Sequence, residues 1–412
     1  MPETFRCRSC GARLSDPIVD LGKQPLANSY LEAGDLRRPE PRMPLRVRVC
    51  PDCWLAQTDQ FVLPESVFSN YAYFSSYSAA WLEHARRYSE TMIERFALDS
   101  RSFVVEVASN DGYLLKNFVA RGIACLGIEP AENVAEVARA AGVPTEARFL
   151  GETSARKTLA GHAPADLLAG NNVLAHVPDI NDFVAGLKIL LAPRGVLTLE
   201  FPHLLNLIGQ NQFDTIYHEH YSYLSLAAVE RIFARHALSV FDVEKLPTHG
   251  GSLRLFAQHA GGPRETSGAV EALRAEERRV GVQTEAYYAG FSAQVDRAIR
   301  GFREFLDSAR TEGKMTVAYG AAAKGNTLLN ACGAGPDEIA YVADKSPHKQ
   351  GRFLPGSHLE IRAPEAILTD RPDYVVILPW NLREEIMSQL PQTSSWGGRF
   401  VTAIPELRVI AP

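Results

Sequence analysis

Short apolar runs alternate with helix-like patterns through the middle of the chain. Residues 103–107 and 124–128 are predicted to be buried strands, and helical patterns follow them at 113–120 and 131–140. Further strands are predicted at 166–170, 195–203 with its exit loop, 238–243 and 252–257. Strands that alternate with helices in this way are typical of a parallel sheet covered by helices, so the fold class is α/β.

The same order of elements returns near the end of the chain. Residues 315–319 are a predicted strand, 320–326 form a loop of small residues, and a helix is predicted to begin at Thr327. Two more strands are predicted at 339–343 and 374–378. This arrangement predicts a second Rossmann-like α/β domain, a degenerate version of a nucleotide-binding fold.

A chain of 412 residues is too long for one core and is expected to divide into two or three domains. A polar linker at 262–268 separates the central strands from long helical patterns at 270–309. We therefore predict three units: a small N-terminal module at 1–75, a central Rossmann-like domain at 76–262, and a helical linker with the second α/β domain at 263–412.

Composition and charge exclude several classes of protein. The chain is 46% apolar and 22% charged, with a pI near 6.2 and a net charge of -5, as in ordinary soluble domains. An acidic protein lacks the basic face that a nucleic-acid partner needs. No run of 18 apolar residues occurs, and the N-terminus does not resemble a signal segment. We expect a cytoplasmic protein without nucleic-acid or membrane partners; a monomer is favoured, although the sequence leaves the oligomeric state open.

Four cysteines form two CxxC pairs, Cys7 with Cys10 and Cys50 with Cys53. This spacing lets adjacent thiolates bind one tetrahedral metal ion, and four thiolates would close the coordination shell. The alternatives are redox motifs or disulfides, but a reducing cytosol disfavours disulfides and neither pair opens the helix of a βαβ unit. We predict a structural zinc ion that stabilises the N-terminal module.

The turn after the first central strand predicts a nucleoside-binding site. Small residues at 108–112 let a ligand approach the backbone, and Glu129 closes the next strand where a carboxylate can accept ribose hydroxyls. The turn has no G-x-G-x-x-G motif and carries Asn110 and Asp111 where a pyrophosphate favours glycines. Together with Glu106 on the strand, this favours S-adenosylmethionine over NAD. The alternative is another nucleotide-binding doubly wound domain.

Residues 214–223 concentrate two imidazoles, two carboxylates and three phenols. A histidine beside a glutamate and a tyrosine can take up and return a proton near neutral pH. The alternative is an aromatic edge strand with solvated histidines. Strand alternation would place His218 and His220 on one face and Tyr217, Glu219 and Tyr221 on the other, so either the backbone is irregular or these residues do not share one substrate.

These motifs together resemble those of the sugar C-methyltransferases, over essentially the whole chain. The elements that carry the resemblance are the CxxC pairs, 106-EVASNDG-112, 171-NNVLAH-176, 217-YHEH-220 and 249-HGGSLR-254. The family acts on nucleotide-linked 4-keto-deoxysugars. One departure is visible, since the family usually has glycine at the position of Ala108. We expect the approach of the cofactor to the backbone to be slightly relaxed there, although alanine is small enough to leave binding intact.

The resemblance implies a methyl transfer to a ring carbon, with C3 favoured, through an enolate. It implies that His220 is the base, that Glu219 orients or polarises it, and that Tyr217 donates to the developing oxygen. The further catalytic positions implied are His176 and Tyr71. The implied cofactor-binding residues are Glu106, Ala108, Asn110, Asp111, Gly112, Glu129, Asn171 and Asn172. The predicted substrate-binding residues are Lys324, Asn326, His249 and Arg254.

Two other functions remain open from the sequence. One is an NAD-dependent nucleotide-sugar dehydrogenase or epimerase, and the other is a non-catalytic zinc-ribbon adaptor. At the second α/β loop, Lys324 near a helix N-terminus suits a diphosphate, and the alternative is a surface lysine on a structural loop.

Overall fold

The protein is described here by a computed structural model, which covers residues 5–62 and 75–411. The N-terminal module contains three strands, which are β1 (Val19–Gln24), β2 (Met43–Val49) and β3 (Ala56–Thr58). They pair antiparallel in the order β1, β2, β3, and a fourth strand, β9 (Ser222–Tyr223), joins the edge from the central part of the chain. The module is thus completed by the segment that carries the candidate catalytic residues.

The central domain is a mixed sheet with helices on both sides. Its elements are α1 (Ala79–Phe96), β4 (Phe103–Val107), α2 (Leu115–Val119), β5 (Ala124–Glu129), α3 (Glu132–Ala140), β6 (Thr145–Ala147), α4 (Glu152–Leu159), β7 (Ala165–Asn171), α5 (Ile180–Leu190), β8 (Leu191–Pro202), α6 (Leu204–Gly209), β9, α7 (Leu226–Arg235), β10 (Leu238–Leu246) and β11 (Ser252–His259). Among the described residues the strand order is β10, β11, β8, β7, β4, β5, β6. Strands β6, β5, β4, β7 and β8 are parallel, and β11 and β10 are antiparallel.

The predicted second α/β domain is also present. It comprises α8 (Gly268–Val280), α9 (Glu285–Tyr288), α10 (Phe291–Thr311), β12 (Thr316–Tyr319), α11 (Ala323–Ala331), β13 (Val342–Ala343), β14 (Ile361–Arg362), α12 (Glu365–Asp370), β15 (Tyr374–Ile377), α13 (Arg383–Gln389), β16 (Arg399–Thr402) and β17 (Arg408–Ile410). The described strands have the order β14, β13, β12, β15, β16, β17, and only the last pair is antiparallel. The α/β fold class is therefore confirmed.

Apolar side chains of the central strands form the main core. Strands β4 and β7 are buried on both faces, as expected for parallel strands between two helical layers. Ser225 caps the start of helix α7, because its hydroxyl accepts a hydrogen bond from the Ala228 N–H at 3.1 Å. Helix α11 begins four residues earlier than predicted, so Lys324 lies in its first turn rather than in the loop before it. Within the described ranges, no helix combines the length and apolar character that a membrane crossing requires.

Candidate active site

The candidate catalytic segment folds as a tight turn rather than as an extended strand. The His220 N–H donates to the Tyr217 carbonyl at 2.9 Å, which brings two side chains three positions apart to the same side. The Tyr217 hydroxyl lies 2.8 Å from His220 Nε2, and the two ring centroids are 3.9 Å apart. Of the two possibilities left open by the sequence, the irregular backbone is the correct one, and it puts Tyr217 and His220 together.

Backbone carbonyls fix the tautomers of two histidines. His220 Nδ1 lies 2.8 Å from the Thr215 carbonyl, and His176 Nδ1 lies 2.9 Å from the Glu219 carbonyl. Because a carbonyl oxygen only accepts, each Nδ1 must carry the hydrogen. The lone pair of each neutral ring is then on Nε2, and the Tyr217 hydroxyl donates to that of His220. The two imidazole centroids are 4.6 Å apart, edge to face.

Burial keeps these imidazoles neutral. His220 is 5% exposed, and its pKa lies well below the ordinary value because of burial and of the neighbouring His176. Burial also lowers the pKa of His176 to about 4. Neutral rings with assigned Nε2 lone pairs are proton acceptors at neutral pH, which is the state that a general base requires.

The resemblance had implied that Glu219 orients His220, but the Glu219 side chain bonds elsewhere. Its carboxylate accepts a hydrogen bond from Asn28 Nδ2 at 2.7 Å, while Thr215 and Tyr217 orient the His220 ring. Burial of Glu219, which is 2% exposed, raises the pKa of its carboxyl to about 7. The sequence offered no signal for Asn28, which lies 191 positions away in the N-terminal module.

The predicted cofactor turn follows β4 and adopts a strained backbone. Ala108, Asn110 and Gly112 have φ values of 56°, 48° and 78°, in the left-handed region that favours glycine. A Cβ at Gly112 would lie 2.9 Å from Val143 Cγ2, so this position also lacks space. The family's usual glycine at position 108 thus has a physical reason, since alanine pays a steric cost there.

Glu129 supports this turn. Its two carboxylate oxygens accept the N–H groups of Asn110 at 2.9 Å and Ala131 at 3.0 Å. The side chains of the turn are bound as well, because Asn110 Oδ1 accepts from the Ser75 N–H at 2.8 Å and Asp111 Oδ2 accepts from Ser76. The turn therefore links β5 to the chain at 75–76.

Polar groups with unused bonding capacity line the ends of β4 and β7. Glu106 and Asn171 are buried beside the Tyr113 side chain, which interacts with both of them. Within the described part of the chain, their side-chain polar atoms and Asn172 Oδ1 form no hydrogen bond of good geometry. Burial raises the pKa of Glu106 well above its ordinary value. Because buried polar groups normally have partners, these atoms fit a polar ligand such as the amino acid end of S-adenosylmethionine.

The four cysteines converge as predicted. The sulfur atoms of Cys7, Cys10, Cys50 and Cys53 all lie within 4.8 Å of one another. Gln57 Nε2 donates to Cys7 Sγ at 3.3 Å, as an outer partner of a bound thiolate does. Four thiolates in this arrangement fit tetrahedral zinc with no open position, which makes the site structural rather than catalytic.

The predicted substrate-binding residues occupy different environments. Lys324 is partly buried rather than a surface lysine, since Nζ donates to Asn381 Oδ1 at 2.7 Å and lies 5.0 Å from the Trp380 ring centroid. His249 has a φ of 55° and contacts the Trp81 ring, with centroids 5.2 Å apart. Asn326 is 1% exposed within α11. These positions place Lys324 and His249 on the side of the catalytic segment that faces the C-terminal domain.

Arg254 does not have a free guanidinium. It is buried in β11 and forms ion pairs with Glu200 at 2.6 Å and with Glu244 at 2.7 Å. Glu200 also lies 2.8 Å from His84 Nε2. The predicted substrate contact is therefore replaced by a structural network beside the cofactor strands. Tyr71, the remaining predicted catalytic position, lies outside the described residues.

Comparison with known proteins gives the family. Residues 7–68 match a putative zinc binding domain, 81–242 a methyltransferase domain and 247–405 a C-methyltransferase C-terminal domain. The C-methyltransferase NovU of Streptomyces niveus is 38% identical over 406 residues, which cover 98% of this chain and 96% of NovU. The chain belongs to the C-methyltransferase family. The predicted activity class, a C-methyltransferase that uses S-adenosylmethionine and carries a zinc module, is thereby confirmed.

Solved structures resemble this C-methyltransferase more distantly. Magnesium protoporphyrin IX methyltransferase from Synechocystis PCC 6803 with bound SAH is 15% identical, with a TM-score of 0.36, over 43% of this chain and 83% of that one. The PH0226 protein from Pyrococcus horikoshii OT3 is 14% identical, with a TM-score of 0.37, over 47% and 97%. Similarities at this level carry no argument about the substrate.

Several site residues of this C-methyltransferase had no signal in the sequence. Asp214 is fully buried and accepts a hydrogen bond from Trp380 Nε1 at 2.8 Å, and burial raises the pKa of its carboxyl to about 6. Trp81 stacks on both His84 and Tyr113. A tryptophan or histidine on an amphipathic helix is indistinguishable from core packing until its tertiary neighbours are known, which explains why these residues were missed.

Proposed function

We propose that this C-methyltransferase transfers a methyl group to the ring carbon next to the ketone, with C3 favoured, of a nucleotide-linked 4-keto-deoxysugar. The observation that carries this proposal is the pair of neutral imidazoles, half-buried His176 and buried His220, with tautomers fixed by backbone carbonyls. A ketone acidifies the hydrogen on the adjacent carbon, so one positioned base is enough to form the enolate. The carbon next to the ketone, rather than a sugar hydroxyl oxygen, then becomes the nucleophile.

In the proposed reaction His220 Nε2 takes the proton from the carbon next to the ketone, and the C–H electron pair moves into the enolate. The Tyr217 hydroxyl, which donates to Nε2 in the ligand-free geometry, becomes available to donate to the enolate oxygen once Nε2 carries the proton. When bound, S-adenosylmethionine would supply an electrophilic methyl group to the enolate carbon, with cleavage of the sulfur–methyl bond and release of S-adenosylhomocysteine. His176 would assist the proton transfer as a second imidazole in the site, because its ring contacts that of His220.

The cofactor would bind at the turn after β4. Glu106, Asn171 and Asn172 offer buried polar atoms for its amino acid end, and the left-handed backbone at Ala108 and Gly112 shapes the turn. The remaining predicted cofactor residues, Asn110, Asp111 and Glu129, hold the turn in place. His176 follows Asn171 by five positions on the loop after β7, which supports a methyl donor and a base at one edge of the sheet.

The nucleotide half of the substrate would bind at the C-terminal domain. There the Ala321 N–H donates to Asp344 Oδ2 at 2.8 Å, in the same relation as Asn110 to Glu129 in the central domain. Lys324 lies in the first turn of α11, where an ammonium and helix N–H groups favour an anion. This repetition of a nucleoside-binding turn supports a second, substrate-side nucleotide site.

The test is carbon methylation of a small panel of nucleotide-linked 4-keto-deoxysugars, followed by mass spectrometry and NMR of the product. We expect a single methyl group on C3. We also expect the native chain in deuterated water to exchange the hydrogen next to the ketone, and His220→Asn to abolish this exchange. Methylation at oxygen, or carbon methylation without enzyme-dependent exchange, would contradict the enolate proposal; methylation at C5 would contradict the C3 assignment.

A further inference from the structure

One short stretch of the N-terminal module reaches into the candidate active site. Residues 25–31, called the strap below, cross from β1 toward the catalytic segment and the C-terminal domain. At its centre Asn28 Nδ2 donates to Glu219 Oε2 at 2.7 Å. This bond joins the metal-binding module directly to the residue that precedes His220.

The strap is held on its far side by the C-terminal domain. Leu31 and Phe353 exchange two backbone hydrogen bonds, each 2.9 Å long. The Tyr30 hydroxyl donates to the Ala321 carbonyl at 2.7 Å. Because Tyr30 and Leu31 are fixed two and three positions after Asn28, the Asn28 amide faces Glu219 in one orientation.

Burial raises the pKa of the Glu219 carboxyl to about 7, and the hydrogen bond from Asn28 acts in the opposite direction by favouring the ionised form. Among the described residues Asn28 is the hydrogen-bond donor to this carboxylate, and no lysine or arginine forms an ion pair with it. The titratable groups around the contact are Tyr30 on the strap and His176, which bonds the Glu219 carbonyl. Lys349 and Asp344 lie behind Tyr30, and Lys349 bonds the Ala321 carbonyl.

Glu219 bears on the proposed reaction through its main chain and through the charge of its side chain. Its main chain orients His176, so a displaced Glu219 would disturb that ring. The Glu219 carboxyl is buried one position before His220, so its negative charge would also favour the imidazolium that forms when the base accepts a proton. A protonated Glu219 offers no such stabilisation.

We propose that Asn28 is a positioning residue of the methyl-transfer reaction, which holds Glu219 ionised and in place beside the two histidines. The N-terminal module is then part of the reaction machinery as well as a metal-stabilised support. The proposal rests on the proposed function, because it takes His220 as the base.

The test compares Asn28→Leu with Ser29→Ala, a matched control whose exposed side chain lies one position along the strap. A hydrogen bond to a charged group is worth about 1.5–3 kcal/mol, or about one to two pH units. We expect the acid limb of the kcat profile of Asn28→Leu to move up by about this amount, so that activity returns at higher pH. Ser29→Ala should keep the native profile, and both variants should bind S-adenosylmethionine normally.

A second variant covers the case in which Asn28→Leu does not fold. Asn28→Asp has nearly the same shape and sets a second carboxylate against Glu219, so it should move the acid limb further in the same direction. A uniform loss of kcat at every pH, in whichever variant folds, would mean that Asn28 is merely structural and would overturn the proposal.

Titration of the Glu219 carboxyl separates this proposal from the proposed function. Its carbon-13 signal in the ligand-free protein, identified by comparison with Glu219→Gln, should titrate at higher pH in Asn28→Leu than in the native chain. An unchanged titration would overturn the role of Asn28 whatever the substrate is. Conversely, a shifted titration in a protein that methylates no ketosugar would retain the Asn28–Glu219 link and reject only its place in that reaction.

Discussion

Replacing His220 by asparagine gives the sharpest separation between chemistry and folding. The amide nitrogen of asparagine can still donate to the Thr215 carbonyl, as Nδ1 does at 2.8 Å, so the variant loses mainly the Nε2 lone pair. A positioned general base contributes about 10²–10⁴-fold to a rate, which equals about 3–5.5 kcal/mol of barrier. We expect kcat to decrease by a factor in this range, while the dissociation constant of S-adenosylmethionine stays unchanged.

His218→Asn is the matched control for this experiment. His218 is as buried as His220 and lies two positions before it, but its Nε2 lies 3.2 Å from the carbonyls of Met43 and Pro44 in β2. Loss of that contact should cost about 1–3 kcal/mol of unfolding free energy and leave most of kcat. Steady-state kinetics, calorimetric titration of the cofactor and urea unfolding measure the three quantities. Equal losses of kcat in the two variants would refute the assignment of His220 as the base.

Three further predictions concern the metal, the cofactor turn and pH. Chelation of the metal, or Cys53→Ser, should lower the melting temperature measured by circular dichroism, because four thiolates close one site in a module with few strands. Ala108→Gly should raise the free energy of unfolding in urea by about 1 kcal/mol, since it removes a left-handed alanine, and a loss of stability would contradict the strain. Burial lowers the pKa of His249 from 6.5 to about 4, so the unfolded chain binds the extra proton in that window. As pH falls from 6.5 to about 4, the free energy of unfolding of His249→Gln should therefore rise by up to about 3 kcal/mol relative to that of the native chain. A difference between the two chains in urea unfolding that does not change with pH would contradict this.

The fold was predictable because its signals are local. The strands at 103–107 and 124–128 are short and largely apolar runs, and the spacing of the CxxC pairs alone indicates a metal site. Helix α11 shows the limit, since alanines and a glycine at its start are equally compatible with a loop and moved its predicted beginning by four residues. Local pattern determines the kind of element better than where the element begins.

The contacts within the candidate site were not predictable from the sequence. The resemblance implied that Glu219 orients or polarises the adjacent His220. In the folded chain a turn directs the His220 ring to Tyr217 and Thr215, and Glu219 turns away to Asn28. A pairing across 191 positions leaves no trace in a single sequence, because an asparagine in a loop is equally expected at a solvated turn.

The candidate catalytic segment is held by all three domains, and this explains its irregular backbone. The N-terminal module bonds Glu219 through Asn28, and β9 completes that module's sheet. The C-terminal domain bonds the Ile216 carbonyl through the Thr327 hydroxyl at 2.9 Å. Each tie joins the segment to a separate unit, so its conformation exists only after the domains have docked. Removing these imidazoles from water costs free energy, and the packing of the whole chain offsets that cost. The segment can therefore keep histidine pKa values well below the ordinary value, whereas an isolated, solvated strand would not.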